Sequence, residues 1–258
     1  MSDYELKDKV AVVTGGAGGI GTHISLEFAR GGATVVVASR KQERLDEVVT
    51  RIEGEGGRAL AVATDITVPE QVDELVVRTV SAFGRLDVMV NNAGGGSRMR
   101  QPEETPYEEW LRLIDFNLTG TFLCCIAAGK QMIAQESGNI VNISSTAGTK
   151  GNPFMLHYSA AKAGMISLTN NLAFMWAKHN INVNCIAPGL IATDAMKGHG
   201  AIPADTRDDG SPVPHLELPP GPEDVAKMTR FLASDAARAI TGEIIPVRAW
   251  FRSDRFWQ

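Results

Sequence analysis

The sequence predicts an α/β protein, a doubly wound three-layer α/β/α fold around a seven-stranded parallel sheet. Three observations carry that expectation. Short apolar, β-branched runs alternate with longer amphipathic stretches, the rhythm of strand–helix–strand crossovers. Runs such as Val35–Ala38 and Val88–Val90 are apolar at every residue, which suits strands covered on both faces. A glycine-rich stretch closes the first strand-like run and opens the first amphipathic one.

Taken in order, Lys9–Thr14 reads as a strand and Ala17–Arg30 as a helix, followed by strand Thr34–Ser39 and helix Gln42–Glu55. Strand Arg58–Thr64, helix Pro69–Phe83 and strand Leu86–Asn91 complete the first half. The second half gives a long helix Glu108–Gln135, strand Asn139–Ser144, a second long helix Leu156–Lys178 and strand Ile181–Ala187. Helix Glu223–Ser234 and strand Glu243–Val247 end the pattern. No linker separates these elements, so residues 1–258 are expected to form one domain. The exception is 195–222, rich in Gly, Pro and Asp and without an apolar period. It follows a strand at the ligand-binding end of an open sheet, which marks it as a substrate loop.

Composition narrows the function classes. A formal net charge of −5 argues against general nucleic-acid binding, so a phosphorylated ligand needs local cations or helix N-termini. No run is expected to reach membrane-spanning length, and the start of the chain is polar, without a signal-peptide pattern. The three cysteines (Cys124, Cys125 and Cys185) fit small core residues in a reducing compartment better than disulfides or zinc. A cytoplasmic protein without a metal site is the expectation.

The turn after the first strand reads Thr14-Gly15-Gly16-Ala17-Gly18-Gly19-Ile20-Gly21. Glycines there tolerate positive φ and let a pyrophosphate approach the backbone, while the following helix offers unpaired N–H groups. A tight, closely packed connection explains the same residues without a ligand. The spacing of Gly15, Gly19 and Gly21 resembles the short-chain dehydrogenase/reductase family, including its 3-oxoacyl-[acyl-carrier-protein] and NADP-dependent carbonyl reductases. Further matches follow in family order: Asp65 with Ile66, Asn91-Asn92-Ala93-Gly94, Asn117, Ser144-Ser145, Tyr158-Ser159-Ala160-Ala161-Lys162 and Pro188-Gly189-Leu190-Ile191-Ala192-Thr193.

The resemblance implies a Rossmann-type fold and a hydride transfer between a nicotinamide cofactor and a carbonyl or alcohol. It implies that Gly15, Gly19, Ile20, Gly21, Asp65, Ile66, Asn92, Ala93, Gly94, Pro188, Gly189, Ile191 and Thr193 hold the dinucleotide, together with Tyr158 and Lys162. Catalytic roles fall to Asn117, Ser145, Tyr158 and Lys162. Tyr158 and Lys162 stand four residues apart, on one face of a helix. An ammonium there, with the positive nicotinamide ring, is expected to lower the phenol by about 2–3 pKa units. Ser145 would bond the substrate oxygen, and Asn117 would bend its helix and hold a water near the lysine. His157, one residue from Tyr158, faces elsewhere and is expected to serve in packing or contact with the substrate loop.

Cofactor choice rests on the end of the second strand. Ser39 stands where NAD-dependent relatives carry an acid, and Arg40 follows it, so NADP(H) is favoured, with Lys41 adding a weaker charge. Phe154, Met155 and Leu156 fit a partly apolar pocket wall or core packing equally. Two readings of activity stay open, reduction of a ketone or 3-oxoacyl thioester and oxidation of a polyol, sugar or steroid alcohol. A cofactor-binding protein without turnover is the third reading, disfavoured by the intact catalytic set. The family implies a homo-oligomer, a tetramer or dimer. The family's usual Asp-Gly-Gly after the last strand is replaced here by Arg248-Ala249-Trp250, opening a tail, 248–258, that suits an oligomer contact or packing on its own subunit.

Overall fold

The computed structural model describes residues 4–96 and 98–250. Its strands are β1 (Val10–Thr14), β2 (Thr34–Ser39), β3 (Arg58–Ala63), β4 (Val88–Asn91), β5 (Gly138–Ile143), β6 (Ile181–Pro188) and β7 (Ile244–Val247). They form one sheet in the order β3-β2-β1-β4-β5-β6-β7, and every neighbouring pair is parallel. The order reverses between β1 and β4, which opens a crevice at the carboxyl ends of those strands.

The helices are α1 (Gly19–Arg30), α2 (Gln42–Gly54), α3 (Pro69–Phe83), α4 (Tyr107–Ile114), α5 (Gly120–Gln135), α6 (Thr146–Lys150), α7 (Leu156–Trp176), α8 (Asp194–Gly198) and α9 (Pro222–Ala233). Successive strand residues face opposite layers. Ala11 and Val13 of β1 pack with Ile24 and Phe28 of α1, Leu45 and Ile52 of α2, and Val225 and Leu232 of α9. Val12 turns to the other layer, with Leu75 of α3, Cys124 and Met132 of α5, and Leu172 of α7. Both faces of the central strands are therefore buried, which is why those runs carry no alternating polar residues.

Several boundaries differ from the sequence expectation. Helix α1 starts at Gly19, two residues later than its apolar pattern suggests, because the glycine turn continues through Gly18. The stretch Tyr107–Gln135 is one 29-residue helical run, long and apolar enough to cross a membrane by length and composition. That corrects the expectation that no run reaches such a length. The run packs as a core helix, with Cys124, Cys125, Ala128 and Met132 fully buried under the sheet. A π-helical turn, Asp115–Thr119, interrupts it and turns Asn117 into the interior.

Segment 195–222 is less irregular than its composition indicates. It takes in most of α8, an isolated bridge between Thr206 and Pro212, and a 3₁₀ turn at His215–Glu217. Its Leu216 carbonyl accepts a hydrogen bond from the Trp250 N–H at 2.8 Å, which ties the segment to the chain after β7. Of the tail, residues 251–258 lie outside the described part.

Candidate active site

A cavity of about 1050 Å³ lies over the crevice, lined by the first turns after β1, β2, β3, β4, β5 and β6. The phosphate-binding turn forms its floor. Gly15 has φ +61°, and a Cβ there would come within 2.9 Å of the Ala93 Cα, so the turns after β1 and β4 touch through backbone. Gly21 has the same role behind the turn, where a side chain would strike the Gly15 carbonyl and the Asn92 amide. Above Gly18 and Gly19 the space is open. No side chain caps α1 and no acid stands in its first turn, so its N–H groups are presented to the cavity.

Polar side chains pin the two turns together. The Thr14 hydroxyl donates to the Val90 carbonyl at 3.2 Å and accepts from the Asn92 and Ala93 N–H groups at 3.1 Å each. The Asn92 amide donates to the Thr14 carbonyl at 3.0 Å and the Gly15 carbonyl at 3.2 Å. Asn91 points away into the core, where its amide donates to Asn142 at 2.9 Å. No local pattern marks Thr14 for this role; its partners lie far along the chain, and only the fold brings them close.

At the β2 end, Ser39, Arg40, Lys41 and Arg44 line the cavity together. Arg40 is exposed, with its guanidinium carbon 5.6 Å from the Phe116 ring centroid. Arg44, on the first turn of α2, adds a third cation that no motif in the sequence marks. Asp65 and Ile66 line the same region, and the Asp65 carboxylate accepts from the Thr67 N–H at 3.0 Å and hydroxyl at 2.8 Å.

At the other end, Ser145, Tyr158 and Lys162 meet with Pro188, Gly189, Ile191 and Thr193. Ser145 stands between β5 and the short helix α6, and its hydroxyl caps that helix by accepting from the Ala147 N–H at 3.1 Å. The same hydroxyl acts on Tyr158, favouring its phenolate form. Ser144 serves the scaffold instead, its buried hydroxyl donating to the Lys162 carbonyl at 2.8 Å. Lys162 is buried, and its ammonium donates to the Ile143 carbonyl at 2.9 Å and lies 5.7 Å from the Tyr158 ring centroid.

Burial sets the protonation of both groups. It raises the Tyr158 phenol above its ordinary value, against a smaller opposing pull from the Ser145 hydroxyl. It lowers the Lys162 ammonium to about 8, which still leaves it mostly charged at neutral pH. The expectation of an acidified phenol is thus corrected for the protein's own groups. Desolvation of the phenolate outweighs a lysine whose charge is directed at a backbone carbonyl.

Of the expected site residues, Gly21 and Asn117 are absent from the cavity wall. Asn117 is fully buried; its side chain accepts from the Gly95 N–H and donates to the Gly95 carbonyl, each at 3.0 Å, and donates to the Leu113 carbonyl at 3.1 Å. A Cβ on Gly94 would sit 2.8 Å from Asn117 Oδ1 and 3.2 Å from Lys162 Nζ, so the asparagine backs the same turn as the lysine. His157 is fully buried, with Nε2 3.6 Å from Glu109, in keeping with a packing role. Met155 lines the cavity, whereas Phe154 and Leu156 are exposed and belong to neither wall nor core. Arg248, Ala249 and Trp250 also line it, with the Trp250 side chain largely exposed. Among the described residues, no group of His, Cys, Asp and Glu side chains is placed to hold a metal ion.

The residues present fit a nicotinamide dinucleotide. Open backbone at Gly18–Gly19, a helix N-terminus without an acid, and a cavity reaching from Arg40 to Tyr158 match a long bis-phosphate ligand.

The comparisons agree with this geometry. A sequence model of the family described as short chain dehydrogenase matches residues 9–201. A 3-oxoacyl-[acyl-carrier-protein] reductase of Synechocystis sp. is 41% identical over 249 residues, covering 94% of this chain and 96% of that protein. A cis-4-hydroxycyclohexanecarboxylate dehydrogenase of Sinomonas cyclohexanicum is 40% identical over 240 residues, covering 93% of this chain and 95% of the other. Among solved structures, an NAD+-bound xylitol dehydrogenase aligns with a TM-score of 0.87 at 28% identity, over 95% of this chain and 99% of that one. The chain belongs to the short chain dehydrogenase family, oxidoreductases that interconvert carbonyl and alcohol groups with a nicotinamide cofactor.

Proposed function

We propose that this protein reduces a ketone or 3-oxoacyl thioester with NADPH, using Tyr158 as the proton donor. The observation that carries it is the meeting of Ser145, Tyr158 and Lys162 at one end of a cavity whose other end holds Ser39, Arg40, Lys41 and Arg44. A bound nicotinamide dinucleotide supplies the hydride and, once oxidised, a positive charge beside the phenol. The raised phenol stays protonated at neutral pH, the form that can give a proton to a carbonyl oxygen. Ser145 holds that oxygen by hydrogen bonding, and Lys162 stabilises the phenolate left behind. Asn117 keeps the Gly94–Gly95 turn in place against Lys162.

NADP(H) is preferred here because no acid replaces Ser39 and three cations stand beside it, although a structural neighbour is NAD+-bound. We read 1–258 as one dinucleotide-binding and catalytic domain, with 195–222 flanking the substrate end through Met196. Exposed Tyr107, Leu111 and Phe122 of α4–α5 and Phe174 and Met175 of α7 support a homo-oligomer, a dimer or tetramer. Three buried free thiols support a cytoplasmic setting. Reduced nicotinamide absorbance, followed with a panel of ketones and 3-oxoacyl thioesters and in reverse with polyols and alicyclic alcohols, tests the activity. Faster reduction than oxidation at neutral pH is expected; turnover in neither direction overturns it.

A further inference from the structure

We propose that Arg248 anchors a carboxylate-binding subsite, so that the preferred substrates are oxo acids bearing a free carboxylate. The inference rests on the carbonyl-reducing function just given for the same cleft, and it narrows the substrate class. It begins from the departure at the end of β7, where an arginine and a tryptophan replace an acid and a glycine.

Strand pairing carries Arg248 to the reacting end. Val247 pairs with Pro188, and the Gly189 N–H donates to the Val247 carbonyl at 2.9 Å. A Cβ on Gly189 would lie 2.8 Å from the Arg248 Cβ and 3.9 Å from the Thr146 hydroxyl. The arginine is therefore rooted beside the residue that follows Ser145. Its guanidinium carbon stands 3.9 Å from the Trp250 ring centroid, a cation–π contact that restrains the guanidinium at this end of the cleft. The Arg248 Nε is buried and has no hydrogen-bond partner among the described residues. A buried donor without an acceptor is destabilising, and a ligand oxygen would relieve it.

Charge and shape point the same way. Lys150 and Arg248 line this end, while the only carboxylate among the described lining residues, Asp65, stands at the β3 end. Leu190, Met155, Met196 and Trp250 give apolar surface for a short carbon skeleton. A carboxylate matches a single guanidinium edge with two coplanar oxygens. A neutral thioester offers the fork one carbonyl oxygen and no charge. The relative that acts on cis-4-hydroxycyclohexanecarboxylate, a molecule with an acid and an alcohol, is nearly as similar as the carrier-protein reductase.

The test compares matched pairs on the full chain with NADPH: 4-oxopentanoate and 4-oxocyclohexanecarboxylate, each against its methyl ester. The wild type is expected to favour the acids in kcat/KM. Arg248→Gln is expected to reduce that acid-to-ester preference about 10- to 100-fold, the range for losing a charge-assisted hydrogen bond. Arg248→Lys keeps the charge without the fork and should retain part of the preference; it decides the matter if the glutamine variant does not fold. Equal rates on acid and ester overturn the proposal. So does a loss of NADPH affinity as large as the loss of preference, which would place Arg248 on the dinucleotide. Absence of turnover on every compound refutes the reductase function instead. The subsite is then decided by saturation-transfer NMR with cyclohexanecarboxylate and its carboxamide: acid-selective binding lost in Arg248→Gln supports it, and binding of neither or of both equally overturns it.

Discussion

Replacing Arg40 by alanine is expected to weaken NADPH about tenfold and leave NADH nearly unchanged. A charge-assisted hydrogen bond to a phosphate is worth about 1.5–3 kcal/mol when shielded. Arg40 is exposed and rests 5.6 Å from the Phe116 ring, so solvent screening pulls the value just below that range, to about 1.4 kcal/mol or one factor of ten. Lys41 and Arg44 line the same end of the cavity and keep the loss from growing larger. Adding Ser39→Asp places a carboxylate against the 2′-phosphate; at ~4 Å, one pair of like charges costs about 1–4 kcal/mol between the dielectric limits of water and a protein surface. The double variant should therefore prefer NADH. Fluorescence titration of the two dinucleotides at low and high salt is the assay, and the NADPH penalty should shrink as ionic strength rises. Equal losses for NADPH and NADH, or a penalty indifferent to salt, would refute the reasoning.

Lys162 makes a stability prediction whose sign follows from its depressed pKa. The folded state lowers its ammonium from 10.5 to about 8, so between those values the unfolded chain binds more protons and wild-type stability rises with pH. Relative to Lys162→Met, the wild type should gain about 3 kcal/mol across that window in urea unfolding, and a pH-independent difference would contradict the burial account. Gly21→Ala should abolish dinucleotide binding and destabilise by about 1–3 kcal/mol, since the new methyl meets the Gly15 carbonyl and Asn92; isothermal titration and thermal unfolding check it. Burial pushes the Cys124 thiol up to about 12 and Cys185 to about 11, so neither should react with a thiol-specific disulfide reagent at neutral pH until the chain is denatured. Rapid labelling of the native protein would show that the interior opens more readily than its packing implies.

What the sequence made legible was whatever repeats locally. The Tyr158–Lys162 spacing, the glycine turn and the alternating strands and helices each place side chains by a short-range period, and the fold keeps them there. Contacts made across the sheet were not legible. Thr14 holds Asn92 and Ala93, and Arg248 reaches Gly189, only because parallel pairing brings distant segments side by side. Helix α6, Thr-Ala-Gly-Thr-Lys, is too short to show a period, and its only local mark is the Ser145 cap. The rise of the phenol in the protein alone is hidden from the sequence for a related reason. Spacing shows the neighbouring cation, whereas the desolvation that dominates depends on how the whole cleft closes around Tyr158. In Arg40 and Arg44 both causes meet: the first sits at a recognisable strand end, the second becomes relevant only when α2 turns it toward the same cavity.

The most direct measurement is single-turnover reduction of a ketone by Tyr158→Phe, run beside a dinucleotide titration of the same variant. Loss of the phenolic proton should slow the chemical step by a factor of about 10²–10⁴, the usual worth of a positioned general acid, while NADPH binds with near wild-type affinity. A phenylalanine variant that still reduces its ketone at the original rate would mean that another group delivers the proton.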